Sequence, residues 1–205
     1  MIATMDRTRD VLANWPLPPE GGWTAEDLDL LPQDGPNGEL DLFKRVELID
    51  GALILMMSPQ RLFHDRVVRR LATRLEAQAP DSLSIAAQMT IKIAARQRPD
   101  PDLVIFDAAA DDIDRTYFLP GETQLVVEVV SPESEHRDWH RKPAIYAGAG
   151  IPHFWIIAEE NGKPVVHTYE LDEATSAYAP TGIFRGKLAV EVPFPIAVDL
   201  ADLLG

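Results

Sequence analysis

Apolar and polar positions along this chain repeat with two periods, and the changes of period divide it into elements. Val46 to Met57 reads as a hairpin, two short apolar runs joined at Asp50-Gly51, the favoured two-residue turn. After Ser58-Pro59 the period lengthens. Val67, Val68, Leu71 and Leu75 form the apolar stripe of a helix from about Leu62 to Gln78, with Arg66, Arg69, Arg70 and Arg74 largely off it. Ala79-Pro80-Asp81 ends that helix. Strands are expected near Leu83 to Ala87 and Met89 to Ala94, and Arg98-Pro99-Asp100-Pro101-Asp102 forms a stiff entry to a buried strand, Leu103 to Phe106. Two further apolar runs, Leu125 to Val130 and His153 to Ala158, read as central strands buried on both faces. Between them lie a Ser131-Pro132 break and a short helical segment carrying Asp138 and Lys142, which ends at Gly148-Ala149-Gly150. Asn161-Gly162 turns the chain into a strand from Pro164 to Leu171. Short strands follow near Ser176 to Pro180 and Leu188 to Val192, and Asp199 caps a last helical turn, Leu200 to Leu204.

The first 44 residues break this regularity. Their prolines and glycines leave room for one short helix, near Thr24 to Leu31 with Thr24 as cap, so residues 1–44 are expected to be a wrapping arm on a single domain, 45–205. A length of 205 residues suits one domain with a proper core. No apolar run approaches a membrane span, no signal core opens the chain, and cysteine is absent, which together fit a cytoplasmic protein. The net charge of −14 changes the picture more. Nucleic-acid binding draws on Lys and Arg, so this balance disfavours DNA as a partner, and the arginine face of the 66–74 helix is the one evident basic stripe. A homodimer is compatible with the chain.

One carboxylate, Glu128, sits inside an apolar strand, where an unpaired charge would cost several kcal/mol, roughly, and so asks for a metal or a cation. Asp102 stands at the entry to the preceding buried strand. If those strands pair, both acids lean over one end of the sheet, and two hard oxygen ligands with water are how Mg²⁺ is usually held. The competing reading makes Asp102 a solvated strand-end acid and Glu128 a residue neutralised by an arginine. Glu47 is a third candidate ligand ahead of the hairpin turn, or a plain strand-face acid. Lys142 can point its ammonium back at the strand end, or lie solvated on its helix. His64 reads as a cap or packed polar residue that could line the same cleft. His136 and His140 have half of a zinc spacing, but Arg137 stands where the metalloprotease form has Glu.

These residues carry a resemblance. Val46 to Gly51, Met57-Ser58-Pro59 with His64, Pro101 to Val104, Leu125 to Pro132, and Asp138 through Lys142, Tyr146, Gly150-Ile151-Pro152 and Trp155 resemble the Uma2 family of restriction-endonuclease-like proteins, within the PD-(D/E)xK nuclease superfamily. The resemblance implies an α/β (α+β) fold, a mixed sheet flanked by helices with extra C-terminal strands. It also implies acids clustered around a divalent ion, Mg²⁺ or Mn²⁺. Pro101-Asp102 matches the PD element, Glu128 the acid of the second element, and Glu47 an upstream acid. Val130 occupies the usual lysine position, and Lys142 is the matching substitute that would orient or help deprotonate water. The implied activity is metal-dependent hydrolysis of DNA phosphodiesters, with Asp102, Glu128 and Lys142 catalytic and Glu47, Asp102 and Glu128 holding the metal. The alternative is an inactive or repurposed nuclease fold that binds or regulates. A small-molecule hydrolase on the same scaffold is a third class.

Overall fold

The computed structural model of the chain describes residues 16–36, 38–41, 43–55 and 61–205. Met57-Ser58-Pro59 and the first fifteen residues of the expected arm lie outside the described residues. The hairpin forms from β1 (Val46–Ile49) and β2 (Ala52–Leu55), with Ile49 opposite Ala52. Asp50 at φ +54° and Gly51 at φ +80° supply the two left-handed residues such a turn requires. Helix α1 (Leu62–Glu76) follows and buries Val67, Val68, Leu71 and Leu75. The chain continues through β3 (Leu83–Ala87), β4 (Thr90–Ile91), β5 (Leu103–Asp107), β6 (Tyr117–Phe118) and β7 (Thr123–Val129). Helix α2 (Lys142–Gly148), β8 (His153–Glu160), β9 (Lys163–Asp172), β10 (Ala177–Phe184), β11 (Lys187–Val190) and β12 (Ile196–Asp199) complete it.

Six strands make the main sheet, in the order β10-β9-β8-β7-β5-β3. Its pairs are antiparallel except β7–β8, which is parallel. A parallel pair needs a crossover, and the segment that contains α2 supplies it. The alternation within β5, β7 and β8 builds two apolar layers. Leu103, Ile105, Leu125, Val127, Val129, Trp155 and Ile157 pack with α1 and with Leu188, Ile196 and Val198 of β11 and β12. Val104, Phe106, Val126, Phe154 and Ile156 pack on the other face with Tyr146 of α2. This is the mixed, helix-flanked α+β architecture that the resemblance implies, with extra C-terminal strands.

Four local expectations change. The strand expected over Met89 to Ala94 shrinks to β4, which pairs in parallel with β6. Gln88 at φ +57° breaks it on one side, and on the other the chain folds back, with Ile93 and Ala94 N–H groups donating to Gln97. The helix near Thr24 is a 3₁₀ turn, Asp27–Leu30, and the capping is reversed: Thr24 donates its N–H and its hydroxyl to Asp27 Oδ2, each at 2.7 Å. Strand β12 goes beyond the expected strands: after Pro193 and Pro195 the chain returns to pair antiparallel with β11. Last, the arginines of α1 have a structural job. Arg66 donates to the Leu204 carbonyl (3.0 Å), Arg70 to the Asp202 carbonyl (2.9 Å), and Arg74 pairs with the Asp202 carboxylate (3.0 Å). The stripe docks the C-terminal 3₁₀ turn, whose cap is Asp199, accepting from the Ala201 N–H at 2.9 Å.

Candidate active site

The register of the sheet brings the first two acids together. Leu103 lies opposite Val127, so one step further Asp102 lies opposite Glu128. Opposed residues of an antiparallel pair share a face, with Cβ atoms about 4.5–5.5 Å apart. Strand β1 adds Glu47 from the hairpin, tied to the same strand entry by the Leu48 N–H to Arg98 carbonyl bond (2.9 Å) and its reciprocal (2.8 Å). All three acids are buried, Glu47 completely. Asp102 is held at both oxygens. The Val129 N–H donates to Oδ2 at 2.8 Å, and His64 Nε2, from the first turn of α1, lies 3.1 Å from Oδ1.

The segment after β7 supplies the counter-charge. Ser134, Asp138, Lys142 and Tyr146 recur every four residues, and the backbone between them passes through a π-helical turn, Arg137–Arg141, before α2. Such turns are frequent at functional sites. Lys142 is 1% exposed. Its Nζ lies 3.0 Å from Glu128 Oε2, and 3.3 Å from both Glu47 Oε2 and Asp138 Oδ1. The Tyr146 hydroxyl donates to the other Glu128 oxygen at 2.7 Å, and the Ser134 hydroxyl donates to Asp138 Oδ2 at 2.5 Å. Arg137 Nε stands 3.2 Å from Glu47 Oε1 at the rim. Glu128 is therefore neutralised by a lysine and not by an arginine, and Lys142 is not a solvated helix residue.

Burial pushes the Glu128 carboxyl well up, and the charges of Asp138, Asp102 and Glu47 push the same way against the opposing pull of Lys142. Asp138 is raised for the same first reason, offset by Lys142 and Ser134. Burial alone would lower Lys142, but Glu128, Glu47 and Asp138 reverse it and hold the ammonium firmly charged. Tyr146 is raised by burial and by the Glu128 charge, so it stays a donor. Asp100, two residues before Asp102, is pushed up to about 6 by burial despite its pair with Arg45 at 3.2 Å. Its Oδ1 is buried and has no hydrogen-bond partner.

Can these residues hold a divalent ion? The donors are carboxylate oxygens, the type Mg²⁺ and Mn²⁺ prefer. Glu47, Asp102, Glu128 and Asp138 face one buried ammonium and the rim guanidinium of Arg137, and Glu47 Oε1 and Asp138 Oδ1 accept no hydrogen bond. That leaves surplus negative charge and carboxylate oxygens held only by ion pairs, which fits a hard divalent cation. Among the described residues no group of three or more such ligands is placed to hold a metal ion; three of the carboxylates surround the Lys142 nitrogen instead.

The sequence singled out Glu47, Asp102, Glu128 and Lys142, and the fold gathers them at one sheet end. It missed Asp138 and Tyr146 as partners of the cluster, although their spacing of four on either side of Lys142 was visible. His136 and His140 are exposed, with ring centroids 5.0 Å apart, and among the described residues they belong to no metal-ligand group.

Comparison with known proteins bears on the family and the fold. Residues 39–201 match the model of a family described as "Uma2: Putative restriction endonuclease". No curated protein matches the sequence. Among solved structures, one described as "a putative nuclease belonging to DUF820", from Anabaena variabilis, superposes with a TM-score of 0.65 at 16% identity, covering 88% of this chain and 97% of that one. At that identity the likeness speaks for the fold.

Proposed function

The chain belongs to the Uma2 family, and on that premise we propose that it is a divalent-metal-dependent nuclease that hydrolyses DNA phosphodiester bonds. The observation that carries this reading is the convergence of Glu47, Asp102 and Glu128 with Lys142 at one end of the sheet. Asp102, Glu128 and Glu47 would hold the ion, Mg²⁺ or Mn²⁺. When bound, it offsets the charge that builds on the phosphoryl oxygens and makes a nearby water more acidic.

The protein's own residues do the rest. His64 and the Val129 N–H fix the orientation of Asp102, and the Tyr146 hydroxyl fixes that of Glu128. Lys142, held charged, orients the attacking water as a donor and offsets negative charge. It is not in the form that could accept the water's proton. Water attacks phosphorus in line and gives up its proton to bulk solvent; as the new phosphorus–oxygen bond forms, the bond from phosphorus to the 3′-oxygen breaks, and that oxygen departs opposite the attack and takes a proton from solvent. The test is nicking of supercoiled DNA with Mg²⁺ or Mn²⁺ by wild type and by Asp102→Ala. Wild type is expected to nick and the variant to be inactive; cleavage that survives Asp102→Ala would refute the site.

A second reading, a nuclease fold repurposed for binding or regulation, has two observations in its favour. The net charge is −14, and Arg66, Arg70 and Arg74 of α1 are engaged with the C-terminal turn. Calorimetry separates the readings, since a repurposed fold with a silent site takes up no divalent ion.

A further inference from the structure

Lys142 stands where a cation belongs. Its nitrogen touches Glu128 Oε2, Glu47 Oε2 and Asp138 Oδ1 at 3.0, 3.3 and 3.3 Å, with 1% of the residue exposed. Two of those three carboxylates are the ones that the nuclease reading gives to the metal. A divalent ion needs such oxygens at about 2.0–2.6 Å, which an ammonium already at their centre prevents. We propose that Lys142 is the protein's own stand-in cation: without metal it holds Glu47 and Glu128 together, and a divalent ion enters by displacing its ammonium from them.

The inference rests on the nuclease reading and adds to it a competition built into the site. The surroundings suit an exchange. Tyr146 grips Glu128 through the oxygen that Lys142 does not use, at 2.7 Å, so the carboxylate keeps its place when the ammonium leaves. Asp138 lies one turn before Lys142, and Ser134 holds its Oδ2 at 2.5 Å. Its Oδ1 accepts no hydrogen bond and remains a partner for the displaced ammonium. Electrostatics sets the direction of the effect. Removing a positive charge from among carboxylates strengthens their hold on any other cation.

The experiment is a calorimetric Mn²⁺ titration of wild type, Lys142→Gln and Lys142→Arg, with thermal melts with and without Mn²⁺. Lys142→Gln is expected to bind Mn²⁺ about tenfold or more tightly than wild type, and its melting temperature to rise further on Mn²⁺ addition. Lys142→Arg, which keeps the charge, is expected to bind no more tightly than wild type. Should the uncompensated acids of Lys142→Gln leave it unfolded in chelator, far-UV circular dichroism is expected to recover on adding Mn²⁺; a chain still unfolded in saturating Mn²⁺ overturns the proposal. Equal or weaker binding by Lys142→Gln, with wild type binding normally, overturns the proposal and leaves the nuclease reading intact. If neither protein binds Mn²⁺, the metal reading falls and this proposal with it.

Discussion

Asp100 should make the metal-free protein lose stability as pH rises through the range where this carboxyl ionises. The residue is 3% exposed and shares the entry to β5 with Asp102, and its carboxyl is raised from 3.8 to about 6 by burial, with Arg45 compensating in part and the charges of Asp102 and Glu47 opposing ionisation. The native state therefore binds more protons than the unfolded chain between those two values, and stability falls as pH rises across that window. At about 1.4 kcal/mol per unit, the shift is worth roughly 3 kcal/mol over the whole window, and about 1.4 of that lies between pH ~5 and ~7.5. Asp100→Asn resembles the protonated residue and cannot ionise. The variant is expected to gain about 1.4 kcal/mol over wild type on going from pH ~5 to ~7.5, whatever its fixed offset from losing the Arg45 pair. Urea unfolding in chelator at both pH values measures this double difference. A difference near zero, or a variant that loses ground at the higher pH, refutes the assignment of Asp100 as a buried, reluctantly ionised acid.

Other consequences are as direct. Tyr146→Phe deletes a buried hydroxyl that donates to a carboxylate and should cost about 1.5–3 kcal/mol in urea unfolding, against about 1 for Tyr178→Phe, whose hydroxyl donates to the neutral Ile151 carbonyl. Gly51→Ala places a side chain at φ +80° in the turn that presents Glu47, with Arg96 in its way; a loss of about 1 kcal/mol or more is expected by thermal melt. Joint replacement of Arg66 and Arg70 by alanine should loosen the C-terminal turn, visible as faster amide exchange over residues 200–205. It should change DNA affinity little at fixed salt, because these side chains already serve Leu204 and Asp202.

The main sheet was legible because its strands announce themselves: valine-rich runs that alternate between two buried faces, a Pro-Asp entry, and an Asn-Gly turn with left-handed residues, as the Asp-Gly turn marks the separate β1–β2 hairpin. The elements whose length or existence was misjudged lack a local signal. β4 is two residues long and depends on β6 for its partner, and β12 hides behind prolines that suit a loop equally well. The arginines of α1 look like a free basic stripe because their acceptors, the carbonyls of residues 202 and 204, are more than a hundred residues away. At the candidate site the positions of the acids could be read from the alternation around Glu128. What the sequence could not show was the depth at which Lys142 would lie, since a helix lysine is ordinarily solvated and this one is buried among Glu47, Glu128 and Asp138, which come from separate elements. Tyr146 carried the same ambiguity, an aromatic that serves equally as core and as hydrogen-bond donor.

In the proposed nuclease Asp102 and Glu128 form the two halves of one divalent-metal site, with Glu47 assisting. Crystals soaked in Mn²⁺ and measured for anomalous scattering test it most directly. One strong peak is expected at about 2.0–2.6 Å from carboxylate oxygens of both Asp102 and Glu128, with the Lys142 nitrogen moved away from Glu128. A saturated crystal with no peak there, or with Mn²⁺ bound elsewhere while Lys142 keeps its three carboxylates, would contradict it.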